Sequence, residues 1–151
     1  MPTVSPTLFF QWRWWLAVAT ATLALHAAAS AKPLSPADEK SIHAVVQEQL
    51  AAFAADDATK AFSYAAPNVR RMMRSAERFM AMVRNGYPVV YRPASVAFLK
   101  PESQDAQVVQ GVQMTDASGD SWLAIYTLEQ QTSKAWRITG CTLVTNKGRF
   151  A

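Results

Sequence analysis

The spacing of hydrophobic residues changes once along the chain, near residues 85–86. Before this point, apolar side chains recur at steps of three and four residues, which is typical of amphipathic helices. After it, apolar and polar side chains alternate in several short runs, which is typical of half-buried strands. This order predicts an α+β fold in which about three N-terminal helices pack on an antiparallel sheet of about four strands.

The first two helices have recognisable starts. Ser35, Pro36 and Asp38 form a favourable N-terminus, with the serine as N-cap and the proline at the first helical position. An apolar stripe then predicts a helix of about 20 residues, formed by Ile42, Val45, Val46, Gln49, Leu50 and Phe53. Asp57 is a candidate cap for a short second helix over residues 57–66.

A third helical region begins at Pro67 and continues to Asn85 and Gly86. Glycine favours the position just past a helix end, so Gly86 is the predicted stop. Ser75 could cap a restart, and two short helices are therefore the alternative to one long helix.

Four strands are predicted by alternation, at residues 89–98, 108–115, 122–128 and 136–144. Pro88 and Pro93 cannot donate backbone hydrogen bonds, which places the first strand at an edge or a bend of the sheet. Residues 100–105 are predicted to form a turn, and residues 116–120 a hairpin loop.

A curled sheet with helices across its concave side would enclose a pocket. The candidate lining residues are Arg92, Tyr91, Tyr126, Trp122 and His43. Arg92 alternates with apolar residues, so it reads as inward-facing and needs a carboxylate partner or a ligand anion. A structural ion pair is favoured, and the candidate partners are Asp56, Glu77 and Glu129. Strand aromatics more often belong to the core, and a histidine at a helix margin more often lies at the surface.

Residues 1–31 are typical of a cleaved signal peptide. Arg13 precedes an apolar run, Trp14 to Ala29, and small residues at 29–31 predict cleavage after Ala31. An uncleaved anchor is the alternative, but the run is short and contains polar residues. Residues 32–151 would then form one exported domain, periplasmic or secreted, without a membrane span after cleavage.

Composition narrows the possible partners. The chain has 151 residues, 50% of them apolar and 17% charged, which is typical of a folded domain and not of a disordered chain. The net charge of +4 is too small to indicate nucleic-acid binding. Arg70, Arg74 and Arg78 follow one another at four-residue steps on the third helical region, where they are either a solvated face or a surface for an anionic partner.

Few residues here could perform catalysis. After residue 31 the chain contains one histidine, His43, and one cysteine, Cys141. Cys141 lies in an apolar run and is interpreted as a small buried hydrophobe. Metal-ligand spacing, phosphate loops and nucleophile motifs are not found, so no catalytic residue, metal or cofactor is predicted.

Three segments resemble the DUF4864 family of uncharacterised bacterial proteins: residues 78–88, 90–93 and 136–141. The strand at 134–138 also resembles the W-[RK]-I strand of the NTF2-like, or SnoaL-like, superfamily. The resemblance implies a cone fold with a strongly curved sheet and no assigned activity. Phe-Gly often stands in the family where Met73 and Arg74 stand here, which implies a less marked break before the last helix.

The leading functional prediction is a non-catalytic module that binds a small apolar or anionic ligand or a protein partner. The alternative is a SnoaL-like acid–base enzyme that acts on a small carbonyl compound through His43 or a pocket tyrosine. A homodimer through the open face of the sheet is a third possibility.

Overall fold

The computed structural model describes residues 32–145, so the predicted signal peptide and the last residues of the chain lie outside the described part. Its helices are α1 (Pro36–Ala54), α2 (Ala58–Ser63), α3 (Pro67–Met73), α4 (Ala76–Gly86) and α5 (Pro88–Tyr91). Its strands are β1 (Ser95–Phe98), β2 (Glu102–Gln104), β3 (Gln107–Thr115), β4 (Ser121–Gln130) and β5 (Trp136–Thr145). The predicted α+β class is confirmed, with more helices and one more strand than expected.

The first two helices begin where the sequence predicts. The Ser35 hydroxyl accepts a hydrogen bond from the Asp38 backbone N–H at 3.1 Å, which satisfies a donor at the start of α1. The Asp57 carboxylate does the same for α2 by accepting from the Lys60 N–H at 2.9 Å. The predicted stripe of α1 faces the core, with Ile42, Val46, Gln49, Leu50 and Phe53 buried.

The third helical region is two helices, α3 and α4. Arg74 has a φ of 70°, a left-handed conformation that ends α3, and the Ser75 hydroxyl then caps α4 by accepting from the Arg78 N–H at 3.2 Å. The alternative of two short helices, with Ser75 capping the second, is therefore confirmed. Since the helix is interrupted, the four-residue spacing of Arg70, Arg74 and Arg78 does not place them on one helix face.

The segment after α4 corrects the predicted first strand. Residues 88–91 form the short helix α5, and Val89 and Val90 are both buried, whereas neighbours in a strand would face opposite sides. Pro88 occupies the first helical position, where its fixed φ and missing N–H are favourable. Gly86 is the last residue of α4 and not the residue that follows it.

The sheet is antiparallel and has five strands, in the order β1-β3-β4-β5, with β2 also paired to β3. Both β1 and β2 pair with β3: Phe98 lies opposite Val112, and Glu102 opposite Val109. The segment predicted as a turn at 100–105 therefore contains a strand. The predicted loop at 116–120 is confirmed as the β3–β4 connection.

A β-bulge changes the inward-facing residues of β5. Leu128 pairs with Ile138, but Thr127 pairs with Gly140, so Thr139 is an additional residue in β5. The inner face therefore carries Trp136 and Ile138 before the bulge and Cys141 after it. Alternation alone would have placed Ile138 and Cys141 on opposite faces of the sheet.

The core lies between the helices and one face of the sheet. Its fully buried side chains include Ile42, Val46, Phe53, Val112, Met114, Tyr126 and Leu128. The edge of β5 is paired with the segment before α3, since the Ala66 N–H donates to the Ile138 carbonyl at 2.8 Å. Within residues 32–145, no helix is both long enough and apolar enough to cross a membrane.

Candidate functional site

A cavity of about 260 Å³ lies between the helices and the inner face of β4 and β5. Its walls are formed by six secondary-structure elements, α1, α3, α4, α5, β4 and β5, and by the two connections that contain Ala65 and Tyr87. The lining consists of Gln49, Phe53, Ala65, Val69, Met72, Met73, Phe79, Met82, Val83, Tyr87, Val90, Tyr126, Ile138, Thr139, Gly140 and Cys141.

The cavity wall is largely apolar. None of its lining residues carries a charged side chain. The Gln49 side-chain amide, which is buried, donates to the Ala61 carbonyl at 3.1 Å and is thereby fixed to α2. An ionised group inside this cavity would lose its hydration without gaining an opposite charge, so the interior favours neutral, apolar matter.

A polar row crosses the sheet below the cavity. Gln110, Tyr126 and Cys141 lie opposite one another on β3, β4 and β5. The Tyr126 hydroxyl and the Gln110 Oε1 are buried without a hydrogen-bond partner among the described residues. Burial is the largest influence on the Cys141 thiol and raises its pKa to about 12. Burial also raises the pKa of Tyr126. The Cys141 thiol and the Tyr126 hydroxyl are therefore both neutral at ordinary pH.

The least buried part of the wall is α3. It contributes Val69, Met72 and Met73 to the lining, yet none of its residues is fully buried. Met72 is 68% exposed, which places it at the mouth of the cavity.

Of the five residues predicted to line a pocket, only Tyr126 lines this cavity. His43 is exposed and its ring stacks on Phe98, with the ring centroids 4.0 Å apart. Trp122 lies on the same face of β4 as Tyr126, as predicted. Its Nε1 donates to Asp116 at 2.9 Å, near the start of the strand and away from the cavity lining. The predicted strand at 89–98 is confirmed only for residues 95–98, and its wrong first half accounts for the misplacement of Tyr91 and Arg92.

Tyr91 and Arg92 instead join Asp56 in an exposed cluster. The Tyr91 hydroxyl donates to the Asp56 carboxylate, and the Arg92 guanidinium pairs with the same carboxylate at 2.9 Å. Arg84 approaches it at 3.6 Å, and both guanidinium groups lie near the Tyr91 ring. Asp56 was among the predicted partners of Arg92, so the favoured ion pair is present, although Arg92 is exposed and not inward-facing.

The hydrogen bond from Tyr91 is the largest influence that lowers the pKa of Asp56, followed by the charges of Arg92 and Arg84. Asp56 has a φ of 52°, so the cluster lies on a left-handed turn between α1 and α2. These contacts tie that turn to α5. The arrangement is better explained as a structural contact than as a ligand site, because the Asp56 carboxylate already pairs with both guanidinium groups.

The cavity residues that sequence reasoning missed include most of the apolar lining, among them three methionines and Cys141. Met73 and Met72 belong to the apolar stripe of the third helical region, but that stripe does not distinguish a cavity wall from a filled core. Cys141 was interpreted as a buried hydrophobe, which agrees with its surroundings. In the described residues, no group of three or more His, Cys, Asp or Glu side chains could hold a metal ion.

Comparison with known proteins gives a family and no activity. The model of the family DUF4864, described as a domain of unknown function, matches residues 35–151 of the chain. No curated protein matches it. The match includes every helix and strand described above.

Proposed function

The chain belongs to the DUF4864 family, and we propose that it is a non-catalytic binding module that holds a small, largely apolar molecule in the cavity beneath α3. The observation that carries this proposal is the uncharged lining of the cavity of about 260 Å³ between the helices and the sheet. Burial of apolar surface would supply the affinity.

The size of the cavity sets the size of the molecule. An engineered protein cavity of about 150 Å³ accommodates benzene, so a cavity of about 260 Å³ corresponds to roughly ten non-hydrogen atoms. Each methylene buried contributes about 0.8 kcal/mol, which is about fourfold in affinity. A homologous series of ligands should therefore gain affinity with length until the cavity is full.

The finer fold and location remain part of the proposal. Packing of the helices on one face of an antiparallel sheet, with a cavity between the layers, supports an NTF2-like cone. The apolar segment before residue 32 supports export to the periplasm or beyond. The acid–base enzyme receives less support, because the cavity lining contains no Asp, Glu or His and burial keeps Tyr126 protonated.

Filling the cavity tests the proposal. Val69→Trp should place an indole in the space that a ligand occupies, and should weaken binding of 1-octanol by at least about tenfold, as measured by isothermal titration calorimetry. Val96→Trp is the matched control, because Val96 is exposed on β1 and does not line the cavity. Equal 1-octanol affinity in the wild type and Val69→Trp, or no binding to the wild type, would overturn the proposal.

A further inference from the structure

Four arginines lie in the helix α3, which lines the cavity, or shortly after it in the chain. Between Pro67 and Arg78 the chain carries Arg70, Arg71, Arg74 and Arg78, here called the arginine cluster, against the single carboxylate of Glu77. All four arginine side chains are exposed. Within the described residues, none of them forms a salt bridge or a side-chain hydrogen bond.

Three of these cations belong to the helix that lines the cavity or directly follow it in the chain. Arg70 and Arg71 lie between the lining residues Val69 and Met72 on α3, and Arg74 directly follows Met73. The other exposed arginines of the helical layer, Arg84 and Arg92, are already engaged by Asp56. The guanidinium groups of the arginine cluster are therefore available to pair with an anionic ligand.

We propose that the ligand is an amphiphile whose single apolar chain enters the cavity and whose anionic head stays outside, at the arginine cluster. This inference rests on the proposed function, and adds to it the charge and orientation of the ligand. The uncharged interior excludes the head group, while the cluster attracts it, so the two features select opposite ends of one molecule. Guanidinium groups bind carboxylate and phosphate equally well by geometry, and the shared chemistry is a single-chain anion.

Neutral and charged ligands of similar chain length separate the two contributions. Octanoate has one aliphatic carbon fewer than 1-octanol, because its eighth carbon is the carboxylate. Tighter binding of octanoate would therefore come from the head group and not from the chain. At low salt, the wild type should bind octanoate about tenfold more tightly than 1-octanol, since three or four exposed ion pairs contribute a few tenths of a kcal/mol each. That preference should shrink in high salt. Octyl phosphate tests the phosphate head group. Whether octyl phosphate or octanoate binds more tightly shows which head group the arginine cluster prefers.

A triple variant, Arg70→Gln/Arg71→Gln/Arg74→Gln, should lose the preference for octanoate while its affinity for 1-octanol changes less than about twofold. The unchanged affinity for 1-octanol would show that α3 and the cavity are intact. The charge-matched control, Lys40→Gln/Lys100→Gln/Lys134→Gln, removes three exposed cations that lie elsewhere in the chain and should keep the preference.

Two results would overturn the inference: equal binding of octanoate and 1-octanol by the wild type, or a preference for octanoate that survives in the arginine variant. Both leave the proposed function standing, because 1-octanol still occupies the cavity. Failure of 1-octanol to bind the wild type would instead remove the proposed function. The two proposals therefore fail by different measurements.

Discussion

The cavity beneath α3 and the cluster around Asp56 are built in opposite ways. The cavity has largely apolar walls that include core side chains, and the Tyr126 hydroxyl in its lining is buried without a hydrogen-bond partner among the described residues. The Asp56 cluster is exposed, and its carboxylate accepts from Tyr91 and pairs with Arg92. Hydrogen bonds and ion pairs therefore hold the left-handed turn at Asp56, whereas the cavity lies where polar side chains are few.

This difference teaches how residue type can mislead a search for a site. Tyrosine, arginine and aspartate attract attention because they can bind and catalyse. Here Tyr91 and Arg92 both donate hydrogen bonds to Asp56 at the surface, and Arg84 pairs with the same carboxylate. The space available to a ligand is lined instead by methionine, valine and phenylalanine, which sequence reasoning assigns to the core.

The largest expected effect tests whether the cavity wall is part of the core. Phe53 is 1% exposed and lines the cavity, so Phe53→Ala should lower the free energy of unfolding by about 3–5 kcal/mol. Urea denaturation followed by circular dichroism measures it. A loss of less than about 0.5 kcal/mol, the range of ordinary surface substitutions, would show that this wall does not stabilise the fold.

A smaller, pH-dependent effect is expected at the Asp56 cluster. Asp56→Asn keeps a residue that tolerates the left-handed backbone but removes the charge that Tyr91, Arg92 and Arg84 stabilise. The pKa of Asp56 is lowered in the folded state, so its stabilising contribution is present at neutral pH. It should be lost as the pH falls below about 4 and through the folded-state pKa.

Thermal unfolding of wild type and Asp56→Asn between neutral and acidic pH measures this contribution as a difference. Asp38 and Asp116, whose pKa values are also lowered by hydrogen bonds, are present in both proteins and cancel. The gap between the two unfolding temperatures should close in acid. A gap that stays constant over the whole range would mean that the Asp56 charge does not stabilise the fold.

The smallest effect is expected at the cavity mouth. Met72→Ala should change the free energy of unfolding by no more than about 0.5 kcal/mol, because the Met72 side chain is 68% exposed. Met80→Ala is the matched comparison, since Met80 is 4% exposed in the core and should cost about 2–5 kcal/mol. Similar losses in the two variants would show that α3 is packed as firmly as α4.

Most of the fold was predictable, because local signals were strong where they were simple. Ser35, Asp57 and Ser75 each cap a helix at the place that their side-chain chemistry indicates. The long strands β3 and β4 follow the predicted alternation, with buried residues at every second position. The prediction for residues 88–91 was wrong because a proline followed by three apolar or aromatic residues fits either a strand edge or one helical turn.

The site was predictable only in part. Tyr126 was named because it alternates toward the inner face of its strand, and it does line the cavity. The remaining lining depends on how far α3 stands from the sheet, and no residue type encodes that distance. The β-bulge at Thr139 had the same consequence, since one additional residue placed Cys141 on the inner face without a pattern that predicts it.

The sequence by itself determined the helix starts, the α+β order, the apolar face of α1 and the long strands, because these follow from local periodicity and capping. Tertiary structure decided the rest. It set the bulge in β5, engaged Arg92 with Asp56 at the surface, and left an uncharged space between α3 and the sheet. Such features depend on how distant segments fit together, and the spacing of residues along a chain carries no measure of a gap between them.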